Sequence, residues 1–107
     1  MKEDSLRIVL ITAPGIDTAR DLASKLVEAR LAACVSMVPG IESVYRWEGK
    51  IENASEVLLL AKIRAESFDA LEKLVLESHP YEVPEILALP ADKVFERYLN
   101  WVRSETA

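Results

Sequence analysis

The sequence predicts a single α+β domain in which two strand–helix–strand units flank a long β-hairpin. Three observations predict it. Apolar, β-branched runs alternate with stretches of helical periodicity. Between two of those runs lies the turn-forming Trp47-Glu48-Gly49-Lys50, which reads as a hairpin tip. The 107 residues suffice for one core, so residues 1–107 are read as one domain.

Residues 6–13 are rich in Leu, Ile and Val and stop at Pro14-Gly15, as a buried central strand does. Asp17 is a candidate cap for the next helix, whose Ala19, Leu22, Ala23, Leu26 and Val27 form one apolar stripe ending near Leu31. Residues 34–47 are β-rich, with a bend or bulge at Pro39-Gly40, because proline cannot donate to a ladder. Residues 56–63 return as a third strand. Both hairpin arms are long for strands, and a ribbon that overshoots a small sheet exposes edges that must be covered. A second helix is expected over residues 67–78, with Phe68, Leu71, Leu74 and Val75 inward, and Pro80 ends it. Residues 85–89 make a short fourth strand before Pro90. A last helix over residues 93–103 turns Val94, Tyr98, Trp101 and Val102 to one side.

The order β-α-β-β-α-β plus a terminal helix is the ferredoxin-like, split β-α-β pattern. Two helices on one face of a four-stranded sheet leave the other face bare. The strands are apolar at nearly every position, so that face needs the last helix or another subunit over it.

Composition narrows the function. Thirteen basic against eighteen acidic residues leave a net charge of −5. A nucleic-acid binder needs a concentrated basic face, and an anionic membrane also selects for one. No partner of either kind is expected. The apolar runs 8–11 and 57–61 are too short for a signal-peptide core or a membrane span. A lone cysteine, Cys34, forms no internal disulfide and fits a reducing compartment. A cytoplasmic setting is expected.

Two blocks are dense in special residues. One runs Leu31-Ala32-Ala33-Cys34-Val35-Ser36-Met37-Val38-Pro39-Gly40-Ile41 and on to Tyr45-Arg46-Trp47-Glu48-Gly49-Lys50-Ile51-Glu52. The other is His79-Pro80-Tyr81-Glu82-Val83-Pro84-Glu85-Ile86. With Tyr98-Leu99-Asn100-Trp101, they make the chain resemble the CutA family of divalent-cation tolerance proteins over almost its whole length. The resemblance implies a ferredoxin-like fold similar to PII-type signalling proteins, and a homotrimer whose long hairpins extend neighbouring sheets. It implies no agreed enzymatic reaction. It also implies a link to copper tolerance, with Cu(II) or another divalent cation as the ligand. Some copper-binding members carry a cysteine in the first strand and a double histidine before the proline; here those positions hold Ile11 and Ser78, and His79 remains.

The candidate residues divide accordingly. His79 is either a helix C-terminal cap or a copper ligand, since imidazole suits Cu(II). Glu82 supplies a hard oxygen ligand or a solvated carboxylate. Cys34 is a thiol ligand or a small core hydrophobe. Tyr45 and Trp47, near the hairpin tip, read as interface aromatics, with ligand stacking as the alternative. Glu56, Lys62, Tyr81 and Glu85 are expected at an intersubunit cleft, with a buried or interfacial partner for Lys62. Tyr98 and Trp101 read as core or as lining of the same cleft. The leading function is a non-enzymatic trimeric protein of divalent-cation tolerance. The alternative is a PII-like signalling or scaffold trimer that binds a small molecule between subunits. An acylphosphatase-like hydrolase shares the fold class, but the turn Pro14-Gly15-Ile16-Asp17 lacks the arginine and amide that its anion cradle needs.

Overall fold

The computed structural model describes residues 5–107; the mixed-charge start of the chain, residues 1–4, lies outside the described residues. The elements are β1 (Leu6–Ala13), α1 (Ile16–Glu28), β2 (Ala32–Trp47), β3 (Lys50–Arg64), α2 (Phe68–Ser78), β4 (Ile86–Pro90) and α3 (Glu96–Glu105), with one 3-10 turn, Ala65–Ser67, before α2. The four strands form one antiparallel sheet in the order β2-β3-β1-β4. The α+β class and the element order match the sequence expectation.

The sheet alternates strictly in its inner half. Val9, Ile11 and Ala13 of β1 and Val57, Leu59, Ala61 and Ile63 of β3 are buried against α1 and α2. Their sequence neighbours Ile8, Leu10, Leu58 and Leu60 turn to the opposite face. Leu22 and Leu26 of α1 and Leu71 and Val75 of α2 complete the core. Phe68 and Leu74 pack on its margin. Val27, expected in the α1 stripe, is exposed, so the stripe is narrower than its sequence suggests.

Two helix ends differ from expectation. Gly15, not Asp17, is the N-cap of α1, and no side chain caps it; Asp17 sits in the first turn, where its charge favours the positive helix end. The helix stops at Glu28 instead of near Leu31. Arg30 adopts a left-handed φ of 60°, and the Leu31 amide donates to the Leu26 carbonyl at 3.1 Å. This closure usually recruits glycine. An arginine there hides the helix end from the sequence reader.

Gly40 has φ +76°, and the β2–β3 pairing slips between Val38 and Ile41, which is the expected bulge. At the tip Glu48 and Gly49 both have positive φ, as a two-residue hairpin turn of the primed type requires. The pairing persists to Trp47↔Lys50, so β3 starts six residues earlier than its apolar run suggested. The ribbon extends the molecule to 44 Å along one axis against 26 and 23 Å on the others.

The last helix begins at Glu96, later than expected, and lies on the face opposite α1 and α2. Val102 is fully buried there with Leu6 and Ala33, and Ile8, Val94, Tyr98 and Leu99 pack around them. Trp101 is not core: it is 42% exposed, tilted against Tyr98 at 5.7 Å between ring centres. The end of α3 is tied down by Arg64 Nε donating to Thr106 Oγ1 at 3.2 Å and by the Ala107 amide donating to the Arg30 carbonyl at 3.0 Å. The helix covers only one end of this face. Leu10, Val38, Leu58, Leu60, Leu87 and Leu89 share the remainder by register. Among the described residues no helix is long and apolar enough to cross a membrane.

Candidate functional site

At the end of the sheet away from α3, the hairpin and the segment after α2 enclose a cleft of about 880 Å³. Thr12 and Glu56 lie at its base, residues 43–47 of the hairpin form one wall, and residues 80–85 form the other. The bulge at Gly40 lies just before the hairpin wall in sequence. Pro80 and Pro84 keep the opposite wall out of helix and sheet.

His79 fixes that second wall. Its Nε2 lies 2.7 Å from the Thr12 carbonyl oxygen, and its Nδ1 lies 3.1 Å from the Tyr81 amide nitrogen. A carbonyl only accepts and an amide only donates, so the ring is the neutral tautomer with its proton on Nε2. The ring is buried and stacked at 4.7 Å, tilted, against Tyr81. The side chain therefore joins β1 to the 80–85 segment, not to the carbonyls of α2 as a capping role requires. Neither nitrogen has a lone pair free for a metal in this arrangement.

Tyr81 continues the chain of contacts. Its hydroxyl donates to Glu56 Oε2 at 2.6 Å. Burial, and then the adjacent Glu56 carboxylate, push the phenol well above its usual range, so it stays a proton donor. Glu56 is only 6% exposed, and no cation forms an ion pair with it among the described residues. Tyr45, Trp47, Glu82 and Glu85 line the same cleft. Of the residues expected there, the structure brings together Tyr45, Trp47, Glu56, Tyr81, Glu82 and Glu85.

It does not bring in Lys62, Tyr98 or Trp101, nor the candidate ligand Cys34. Cys34 pairs with Lys62 across the β2–β3 ladder, whereas Thr12 pairs with Leu58, four residues further along β3. At 3.3 Å per residue that separation is about 13 Å. Cys34 is half-buried, with its Sγ 3.7 Å from the Tyr98 hydroxyl. Burial, and then this contact, push the Tyr98 phenol up to about 12. Lys62 has a hydroxyl partner rather than a buried charge: its Nζ donates to Ser36 Oγ at 2.6 Å. Tyr98 belongs to the α3 cluster and Trp101 packs against Tyr98 from its exposed side; neither lines the cleft. Among the described residues no three His, Cys, Asp or Glu side chains come close enough to hold a metal ion, so His79, Glu82 and Cys34 do not form a joint site.

Sequence reasoning missed Thr12 and Arg46 as cleft residues. Thr12 left a signal, as the lone hydroxyl residue in an apolar strand. Its contribution to His79 is a backbone carbonyl, however, which no side-chain pattern reports.

The family model described as CutA1 divalent ion tolerance protein matches residues 7–105. The chain belongs to the CutA1 family. It is 48% identical over 99 residues to the divalent-cation tolerance protein CutA of Thermus thermophilus, covering 92% of this chain and 96% of that one. It is 43% identical over 99 residues to the chloroplastic protein CutA of Arabidopsis thaliana, of which it spans 54%. The crystal structure of CutA1 from Oryza sativa superposes with a TM-score of 0.95 at 40% identity, covering 100% of this chain and 98% of that one. The CutA1 match thus includes both the hairpin wall and the 80–85 wall of the cleft. The resemblance drawn from the two dense sequence blocks agrees with it.

Proposed function

We propose that this chain serves divalent-cation tolerance as a non-enzymatic homotrimer whose working sites are the clefts between hairpin and 80–85 segment. The observation that carries the reading is the unfinished surface of one copy. Residues 50–56 of β3 pair only with β2, since β1 ends its pairing at Val57. Val44 and Ile51 on that ribbon are 69% and 57% exposed. The open sheet face with Leu87 and Leu89 adds a second apolar area. Both features call for further copies of the chain. We assign the fold to the ferredoxin-like group on the strand order and on the two connecting helices sharing one face.

A binding role fits the site better than catalysis. Both His79 nitrogens are engaged by backbone groups and Tyr81 is held protonated, so neither is poised as a general base. Among the described residues of one copy, no three donors come together for direct Cu(II) capture. In the proposed particle, Glu82 and Glu85 at the cleft mouth would share the ion with groups of a neighbouring subunit, and His79 would join only by giving up the Tyr81 amide. A cytoplasmic setting belongs to the same proposal, in keeping with the single cysteine.

Calorimetric titration of Cu(II) into the sized protein at neutral pH tests the metal reading. Saturable uptake in the wild type, lost in the double variant Glu82→Gln/Glu85→Gln, supports it. Loss in His79→Ala alone would make the histidine a ligand after all. Uptake in none of the proteins above non-specific levels removes direct copper capture. A second reading, a signalling or scaffold trimer with a small molecule in each cleft, is favoured by the cavity volume, which is of ligand size and far larger than an ion.

A further inference from the structure

The base of the cleft, within one copy, has a chemistry that divalent-cation tolerance alone does not explain. Glu56 is more than nine-tenths buried and opens onto the cavity. Its only hydrogen-bond partner among the described residues is a neutral phenol, and no arginine, lysine or histidine pairs with it. A buried carboxylate without a cation is costly, because a phenol does not compensate the charge. Tyr81 bonds Glu56 from one wall and Tyr45 lies close enough to act on the Tyr81 phenol, while Trp47, opposite Lys50 in the hairpin register, lines the same cleft further toward the tip. Glu82 and Glu85 add negative charge towards the mouth, against one positive group, Arg46.

We propose that the cleft binds an organic cation, a protonated amine carried on an apolar or aromatic body. Glu56 takes the ammonium, and Tyr81 and Tyr45 hold the aromatic body through their negative π-faces and apolar area, with Trp47 lining the outer part of the same cleft. The Tyr81–Glu56 bond, with His79 behind it, fixes both recognition groups before the ligand arrives, so little ordering is left for binding. The alternatives fit worse. An anion meets the carboxylates. A bare metal ion finds no three donors together among the described residues and leaves a cavity of about 880 Å³ largely empty. A neutral ligand leaves Glu56 buried and uncompensated. This assignment rests on the reading of the cleft as a small-molecule site and is independent of copper capture.

The test uses the wild-type particle and three probes of one shape: benzylammonium, benzyl alcohol and benzoate. Binding is followed by the fluorescence of Trp47, isolated in a Trp101→Phe background, and by NMR shifts of the cleft tyrosines. Benzylammonium is expected to bind at least tenfold more tightly than the other two. Glu56→Gln, which keeps the shape and removes the charge, is expected to abolish that preference while particle size and melting temperature stay within normal variation. If Glu56→Gln does not fold, Tyr45→Leu replaces it, with an expected severalfold loss of benzylammonium affinity. Equal binding of benzylammonium and benzyl alcohol overturns the cation assignment but keeps the cleft as a ligand site. Binding of none of the three overturns both, as when a neighbouring subunit fills the cleft.

Discussion

The two halves of β3 are one continuous strand in opposite circumstances. Residues 58–63 pair on both sides, with β1 and β2, and alternate residues are sealed beneath α1 and α2. Residues 50–56 pair on one side only and face solvent except at Glu56. The inner half is stabilised by its own chain. The outer half has the same backbone geometry, yet a two-stranded ribbon of this kind is marginal in water alone. The boundary between them falls at Glu56, and the cleft opens there. The candidate site thus lies where the chain's own support for its sheet ends.

That contrast can be broken by substitution. Leu59→Ala in the inner half removes a fully buried side chain between both helices. It is expected to cost about 3 kcal/mol, read as a lowered denaturant midpoint at unchanged slope. A loss under about 1 kcal/mol would mean that the inner half is not the stabilising unit. His79→Ala at the boundary strips partners from the Thr12 carbonyl and the Tyr81 amide, with an expected cost of about 2 kcal/mol. NMR shifts should change along residues 80–85, while the registers of β1 and β3 persist. Ile51→Asp in the outer half is expected to leave the circular-dichroism spectrum of the folded chain intact and to reduce the particle mass. An unchanged mass would detach the ribbon from assembly.

A smaller effect sharpens the comparison from the α3 side. The unfolded chain releases the Tyr98 proton near its ordinary value of 10.0, whereas the folded chain holds it to about 12. Above pH 10 the folded state therefore binds more protons than the unfolded one, and stability falls as pH rises through that window. Below pH 10 both states hold the proton and this group gives no pH dependence. Tyr98→Phe should flatten the alkaline slope in a series of denaturant melts; an undiminished slope would assign it to other groups.

The contrast also shows what the sequence could reveal. Residues 6–13 were readable as β1 to the residue, because apolarity and the Pro14-Gly15 stop coincide. The bulge was readable because Pro39 cannot donate to a ladder, and the tip because Trp47-Glu48-Gly49-Lys50 is turn-forming; Gly40 and Gly49 indeed take positive φ. The outer half of β3 was not: Ile51, Glu52, Asn53, Ala54 and Ser55 have no apolar run, and their strand state follows from pairing with β2 alone. The end of α1 was hidden by Arg30 in a left-handed position. Of the cleft, the aromatic and carboxylate members stood out as unusual residues in special segments. The role of His79 did not, since both its contacts are to backbone atoms. Of the residues the sequence offers outside the cleft, Cys34 and Lys62 are placed at the other end of the sheet by strand register, and Tyr98 and Trp101 by their position on α3.

The central claim is that the outer ribbon and the open sheet face of one copy are completed by other copies. Light scattering on the wild-type protein at micromolar concentration tests it most directly. The account predicts a single species of three times the 12.0 kDa chain mass, persisting on dilution. A stable, folded species of one chain mass under those conditions would contradict it.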